Sequence, residues 1–473
     1  MNYEVNIGLE VHLQLSTMSK AFCSCSTRFG GNPNSQTCPV CLGLPGALPV
    51  LNKKSVASAI KVALALNCEI ADTMKFDRKN YYYPDLPKNF QISQYDNPIS
   101  QNGFLELPAE KGRKKIRIRR VHLEEDAGKL FHKEGYSLID YNRAGTPLLE
   151  IVSEPDILLP EEAYDYLIAL KSLLRYLEVS DCNMEEGSLR CDANISLREK
   201  GNTVLGTKAE LKNMNSFKGV RSALEFEINR QSLLLDDKEK VVQETRLWNA
   251  DEQVTVSMRS KEEAHDYRYF PEPDLVPFAI DKETIERLKK EIPELPQKRR
   301  ARFISEYGLS EYNSSVLTQD KETADFFEET VKAYNNPKSI SNWIISDVNG
   351  ILNEKDVGIR ETKLLPQNLA KMVKMVDDNV ISVKIAKTIL PDMLDGGEAP
   401  GLLVAQKGLA QISDSKEIES MVVKVISENQ KTVSDYKSGK KNALIYLVGQ
   451  VMKATRGKAN PKMVNEILKN KLT

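Results

Sequence analysis

At 473 residues the chain exceeds what one hydrophobic core usually supports, so two or three domains are expected. Hydrophobic residues make up 41% and charged residues 28%, proportions that exclude a disordered chain, and no apolar run is long enough to cross a bilayer. The net charge of −1 gives no sign that the chain as a whole binds nucleic acid.

Met1-Asn2-Tyr3-Glu4-Val5 lacks the basic and apolar regions of an export signal, so the cytoplasm is the expected compartment. Apolar and polar residues then alternate from Leu9 to Leu15, the pattern of a half-buried strand, with Glu10 and His12 on one face. Cys23-x-Cys25 and Cys38-x-x-Cys41 follow, separated by twelve residues that include Gly30-Gly31. Two short turns carrying four thiolates suit a closed, structural tetrahedral zinc site. The other reading is a redox Cys-Pro-Val-Cys pair, but such a pair opens a helix, and Leu42-Gly43-Leu44-Pro45-Gly46 is a poor helix.

Further along, Phe76–Asp85 mixes charged and aromatic residues, and His122-Leu123-Glu124-Glu125-Asp126 places a histidine near three carboxylates. Glu150 stands in the otherwise apolar strand Pro147–Val152, a costly position unless the carboxylate is paired or metal-bound. A helix is expected around Glu161–Leu177. Strands are expected at Leu189–Leu197, with Arg190 and Asp192 on the polar side, and at Lys208–Lys212, with Glu210 beside Lys208 and Lys212. Carboxylates of this kind suit Mg²⁺ bound with substrate phosphates, and His12 leaves Mn²⁺ as an alternative. They also suit ordinary solvated strand faces with salt bridges. Gly201-x4-Gly206-Thr207-Lys208 resembles a phosphate loop with its last two residues exchanged, but it leads into a strand, so any ATP site must be cradled by a sheet. His265–Pro271 is a second aromatic and charged run.

Two prolines, Pro293 and Pro296, mark a boundary after an α+β domain of residues 1–292, which holds every cysteine and histidine. Beyond it the period is helical. Leu369, Met372, Val373 and Val376 share a face behind Pro366 in an expected all-α domain of residues 293–395. Asp395–Gly401 reads as a linker to a small helical tail, residues 402–473. Residues 431–473 hold ten basic and two acidic side chains, a local charge of +8. Lys440, Lys441, Lys453, Arg456 and Lys458 fit phosphate contacts with RNA, or simply a solvated face. Leu444, Leu447, Val448 and Val451 form the buried stripe of one helix, and Asn460-Pro461 reads as the start of another.

Several stretches resemble the GatB subunits of the aspartyl/glutamyl-tRNA amidotransferases, members of the GatCAB complex. They are Ile7–His12, Phe76–Asp85, His122–Lys129, Asn142–Val152, Met184–Asn194, Lys208–Asn213 and Asp266–Asp274, and the tail resembles the family's YqeY-like domain. The resemblance implies a sheet-based cradle of the glutamine synthetase/guanido kinase type, a helical domain and the tail. It implies a carbon–nitrogen ligase that uses ATP to phosphorylate the side-chain carboxyl of a mischarged glutamyl- or aspartyl-tRNA, then amidates it with ammonia. By the same resemblance Glu10, His12, Glu125 and Glu150 are metal-binding positions, with Glu124, Asp192 and Glu210 as further candidates, and Lys79 belongs to the ammonia path. Arg190, Lys208, Lys212, Asp192 and Glu210 are the candidate ATP contacts. No cysteine outside the four sits in a nucleophile motif, so ammonia is expected from a partner. The resemblance implies that the partners are an amidase subunit, GatA, and a small subunit, GatC. A non-catalytic tRNA-binding scaffold and a free-standing ligase acting on a small amino acid are the rival readings.

Overall fold

Alternation along Tyr3–Gln14 makes the first strand, β1, and buries Leu9, Val11 and Leu13 on one face. The computed structural model describes residues 3–108, 112–258, 267–409, 415–440, 442–455, 459 and 461–472. They divide between Leu295 and Pro296 into two units.

In the first unit, eight further strands extend the sheet. They are β2 (Glu69–Ile70), β3 (Ser100–Pro108), β4 (Arg113–Glu125), β5 (Pro147–Ser153), β6 (Leu189–Glu199), β7 (Ala209–Lys212), β8 (Thr245–Asn249) and β9 (Val254–Ser257). Their order is β9-β8-β7-β6-β1-β5-β4-β3-β2, antiparallel throughout except between β7 and β8. The long strand β1 is therefore central, and the strands that flank it bring together residues far apart in sequence.

Three helices belong to the same core as the apolar face: α1 (Lys53–Ala65), α2 (Pro160–Tyr176) and α3 (Phe217–Asp236). The side chain of Asn52 caps α1, Pro160 occupies the first turn of α2, and Ser216 Oγ accepts from Gly219 N at the start of α3. Tyr166, Leu170 and Leu174 of α2 and Val220 and Leu224 of α3 share one core with Val11, Ile151 and Ile195. Truncating any of these large apolar side chains removes contacts worth about 2–5 kcal/mol.

The other face carries the polar residues of each strand. A small sheet of Phe270–Pro271, Asp77–Asn80 and Phe90–Ser93 lies at the end of β4. It is fastened there by Gln91 Nε2, which donates to Glu125 O at 2.7 Å, and by Ser93 Oγ, which lies 3.1 Å from Glu124 Oε2.

The second unit is helical. Phe303, Phe327, Trp343, Met372 and Ile389 lie in its first core. The helix Pro366–Asp377 buries Leu369, Met372 and Val373, in agreement with their spacing. Asp395–Gly401 forms a tight turn: Gly397 ends the helix Val383–Gly396 at φ 77°, and Pro400 begins the helix Pro400–Gln406. Leu403 and Val404 return to the same core, so this core continues beyond Gly401. Ile418, Val422, Leu447, Val451, Val464 and Leu468 form a separate core from helices between Ser415 and Leu472. Asn460 lies outside the described residues, and Pro461 begins the last helix. Among the described residues no helix is long and apolar enough to cross a membrane.

One buried charge ties the first core together. Arg299, 5% exposed, reaches Asp325 Oδ1 at 2.7 Å and also binds Glu328. Burial by itself would raise both carboxyl pKa values. Hydrogen bonds from Lys321 and Arg299 hold Asp325 below its ordinary value, and Arg302 and Arg299 do the same for Glu328. Lowered folded-state pKa values stabilise above the unfolded pKa, and this contribution is lost as pH falls through the folded values. Arg299→Met is expected to destabilise the helical unit by about 3–5 kcal/mol at neutral pH. Urea melts should show the gap from the native chain narrowing as pH falls from the unfolded carboxylate range, about 4, toward the lowered folded values.

Candidate active site

Strand register assembles the polar face. His12 lies opposite Glu150 on one side and Arg190 on the other, and Glu150 in turn lies opposite His122. The result is a row across β6, β1, β5 and β4. His12 Nε2 is 3.4 Å from Glu150 Oε2, 3.6 Å from Glu10 Oε1 and 3.8 Å from Glu124 Oε1. His122 Nε2 approaches the same Glu150 oxygen at 3.2 Å.

Burial alone would raise the pKa of Glu150, but the charges and hydrogen bonds of His122 and His12 hold it well below the ordinary range. Burial opposes protonation of His122, yet Glu150 and Glu124 push its pKa up to about 9. Glu10 behaves differently: burial first, then the charge of Glu150, raise its pKa. This carboxyl lies among more negative charge than the nearby cations neutralise, and a metal ion would reverse that imbalance. Two donor groups share His12: Glu10–His12–Asp192 and His12–Glu124–Glu150, each with its ligand atoms within 4.8 Å of one another. Mostly oxygen donors with one imidazole fit Mg²⁺ or Mn²⁺.

Glu125 is not brought to this cluster. As the neighbour of Glu124 on a strand it faces the other way, where it binds Lys88 and accepts from Ile92 N at 2.9 Å. The resemblance implies Glu125 as a metal-binding position with Glu124 as a further candidate; of the two neighbours, Glu124 is the one that shares the face of His12.

Cations flank the cluster. Arg190 Nη2 donates to Asp126 Oδ2 at 2.7 Å, and Lys212 Nζ lies 2.8 Å from Asp192 Oδ2 and 3.1 Å from Glu210 Oε1. Thr245 of β8 donates to Glu210 Oε2 at 2.8 Å. Lys208 is exposed just before β7. Lys79 Nζ lies 4.8 Å from the Tyr267 ring centroid and 5.8 Å from that of Tyr81. Burial would lower its pKa, but Glu124 leads the groups that hold it above the usual lysine value. Lys440 and Lys453 are exposed in the tail, the former 2.9 Å from Asp435 Oδ1, whereas Lys441, Arg456 and Lys458 lie outside the described residues.

The sulfurs of Cys23, Cys25, Cys38 and Cys41 lie within 4.8 Å of one another. Zinc–sulfur bonds of about 2.3 Å in a tetrahedron require sulfurs about 3.8 Å apart, so the group fits that ion after a small contraction. Cys38 and Cys41 stand in turns rather than at a helix start, which removes the usual setting of a redox pair. The close packing splits the thiols. The Cys23 thiol lowers the Cys41 pKa to about 4, with Lys20 assisting, and Cys23 itself is raised.

His122 stands near carboxylates in the sequence but is not among the expected site residues. Its parity with Glu124 was visible, but its register with Glu150 was not. Lys88, Thr245 and Lys20 carried no sequence signal, since each acts on a residue distant along the chain.

Comparison with known families agrees along the chain. Residues 5–286 match the family model described as GatB/GatE catalytic domain, and residues 325–472 match one described as GatB domain. The corresponding aspartyl/glutamyl-tRNA(Asn/Gln) amidotransferase subunit of Carboxydothermus hydrogenoformans is 57% identical over 475 residues, covering 99% of each chain. That of Thermoanaerobacter pseudethanolicus is 56% identical with both chains fully covered, and that of Brevibacillus brevis is 54% identical over 99% of each. With two family models matched in order and relatives aligned end to end, the chain belongs to the GatB family of amidotransferase subunits.

Proposed function

We propose that this chain is the tRNA-handling, ATP-using subunit of an amidotransferase acting on glutamyl-tRNA(Gln), aspartyl-tRNA(Asn) or both. ATP transfers its terminal phosphoryl group to the side-chain carboxylate of the tRNA-bound amino acid, releasing ADP. Ammonia then attacks the acyl phosphate, phosphate leaves, a proton is lost and the amide remains. The observation that carries this reading is the His12-centred group of carboxylates, flanked by Arg190 and Lys212, on one face of a sheet. We assign that sheet as a cradle of the glutamine synthetase/guanido kinase type.

Phosphoryl transfer needs charge neutralisation and positioning more than covalent help from the protein. Glu10, His12, Asp192, Glu124 and Glu150 would hold divalent cations, which neutralise phosphate oxygens when bound. Arg190 and Lys212 place positive charge beside them, and Asp126, Asp192 and Glu210 orient those two side chains. Lys79 and its tyrosines border the acidic cluster where ammonia would enter. Lys208 is the outermost of the proposed ATP contacts. The knuckle of Cys23, Cys25, Cys38 and Cys41 holds zinc in a structural role.

The remaining cysteines support an outside source of ammonia. Burial raises the Cys68 and Cys182 thiols to about 11 and Cys191 further, which keeps them protonated and unreactive. Glutamine hydrolysis is therefore assigned to an amidase subunit, GatA, held with a small subunit, GatC, in a cytoplasmic heterotrimer. The basic tail, including Lys440, Lys441, Lys453, Arg456 and Lys458, contacts the phosphates of the tRNA body.

Glu150→Gln and His12→Ala are each expected to reduce amide formation by at least about 10²-fold while leaving tRNA binding in place. Near-normal amidation in both variants, measured on mischarged tRNA, would sink the assignment and favour a scaffold. Ammonium chloride is expected to support amidation when the partner's glutaminase nucleophile has been inactivated. Persistent phosphorylation without amidation under saturating ammonium would contradict that division of labour. Removing residues 415–473, which leaves Leu403 and Val404 in place, should weaken tRNA binding and flatten its salt dependence. Filter binding across a salt series would show an unchanged slope if the tail has another role.

A further inference from the structure

Lys20 is wholly buried, at 0% exposure, although ammonium groups are costly to remove from water without a counter-charge. Its Nζ has two partners: Cys41 Sγ at 3.6 Å and the carbonyl oxygen of Tyr141 at 3.3 Å. A carbonyl satisfies a hydrogen bond but does not neutralise a charge. Among the described residues no carboxylate forms an ion pair with Lys20: Glu125, which lines the same pocket, pairs with Lys88, and the anionic group in hydrogen-bond contact with Lys20 Nζ is the Cys41 sulfur.

The neighbouring chain holds this lysine in place. Lys20 N donates to Cys25 O at 3.0 Å, inside the knuckle, and Ala21 N donates to Gly145 O at 2.8 Å. Gly145, at φ +87°, lies against both side chains: a Cβ there would meet Lys20 Cδ at 3.4 Å, Cys41 Cβ at 3.5 Å and Glu125 Oε2 at 3.8 Å. Cys41 is also the most buried of the four cysteines, and it receives a second donor, Cys38 N, at 3.2 Å. Four thiolates around Zn²⁺ carry a net charge of −2, and the sulfur least open to water has the greatest need of donors.

We infer that Lys20 is the internal counter-ion of the metal–thiolate cluster, donating through Nζ to Cys41 and so helping the knuckle retain its metal. The inference rests on the zinc reading of the four cysteines. It makes Lys20 a positioning residue and gives this buried ammonium a partner. It also links the knuckle to the backbone of Tyr141–Gly145, the segment that leads into β5 and Glu150.

The test uses the purified full-length protein with Lys20→Met, Lys20→Gln and Lys20→Arg. Zinc content is measured first, then zinc release to a chromophoric chelator, then the sulfur-to-metal charge-transfer band of the Co²⁺-substituted protein. One zinc per native chain is expected. Release from Lys20→Met should be about 10–100-fold faster, as is usual when a partner of a metal ligand is lost. Its Co²⁺ band should move to lower energy, because an undonated thiolate is more electron-rich; a lysine that merely fills space would leave the band unmoved. Equal release rates and an unshifted band would overturn the role of Lys20. A native chain that binds no zinc, with four freely titrating thiols, would instead overturn the zinc reading. If Lys20→Met does not fold, the charged Arg and neutral Gln variants decide. Slower release and a more native band in Arg support the inference, and identical behaviour overturns it.

Discussion

The polar face of the sheet depends on the position of Glu150 between two imidazoles. A carboxylate within Pro147–Ser153, a strand otherwise almost wholly buried, would be costly if it stood alone. His12 and His122 approach one of its oxygens from the strands on either side, and their charge keeps it ionised. This arrangement requires β1, β5 and β4 to be adjacent and in one register. Slipping any of them by a residue would send its side chain to the apolar face. The helices beneath serve that requirement, because Val11, Ile151 and Val121 anchor the same three strands in a shared core.

Around this row the charges are unequally compensated. Asp126 is matched by Arg190, and Asp192 and Glu210 share Lys212. Glu10 is not matched in the same way, and its pKa is raised by burial first and by the charge of Glu150 second. The site is thus ordered at its edges by ion pairs and left acidic at its centre. Such a surface suits metal cations that neutralise substrate phosphates, with Arg190 and Lys212 already directed by their carboxylate partners.

A single step of strand alternation separates two environments at the end of β4. Glu124 faces His12, and Glu125 faces Lys88 on the side toward the cysteine knuckle. Pocket-lining residues on that second side include Lys20, Cys41, Lys88 and Glu125. The knuckle and the acidic face therefore share one strand end, while their side chains stay on opposite sides of it. The small sheet carrying Gln91, Ile92 and Ser93 holds both sides of that end, through Glu125 on one and Glu124 on the other.

Local features were legible in the order of residues along the chain. Period-2 alternation located β1, β6 and β7, the spacing of Leu369, Met372 and Val373 located a helix, and paired cysteines located the knuckle. Long motifs pointed to the family, and an isolated acid in an apolar strand singled out Glu150. Each of these signals lies within a short stretch of chain, the longest being Cys23 to Cys41, where backbone periodicity and turn chemistry act. Tertiary structure alone decided the partners: His122 with Glu150, Thr245 with Glu210, Glu125 with Lys88 rather than His12, and Lys20 with Cys41. It also made Asp395–Gly401 a turn within one core rather than a spacer, because Leu403 and Val404 have apolar surface to bury there. Strand order and register are set by the joint burial of side chains from the whole unit, and no local pattern contains that sum.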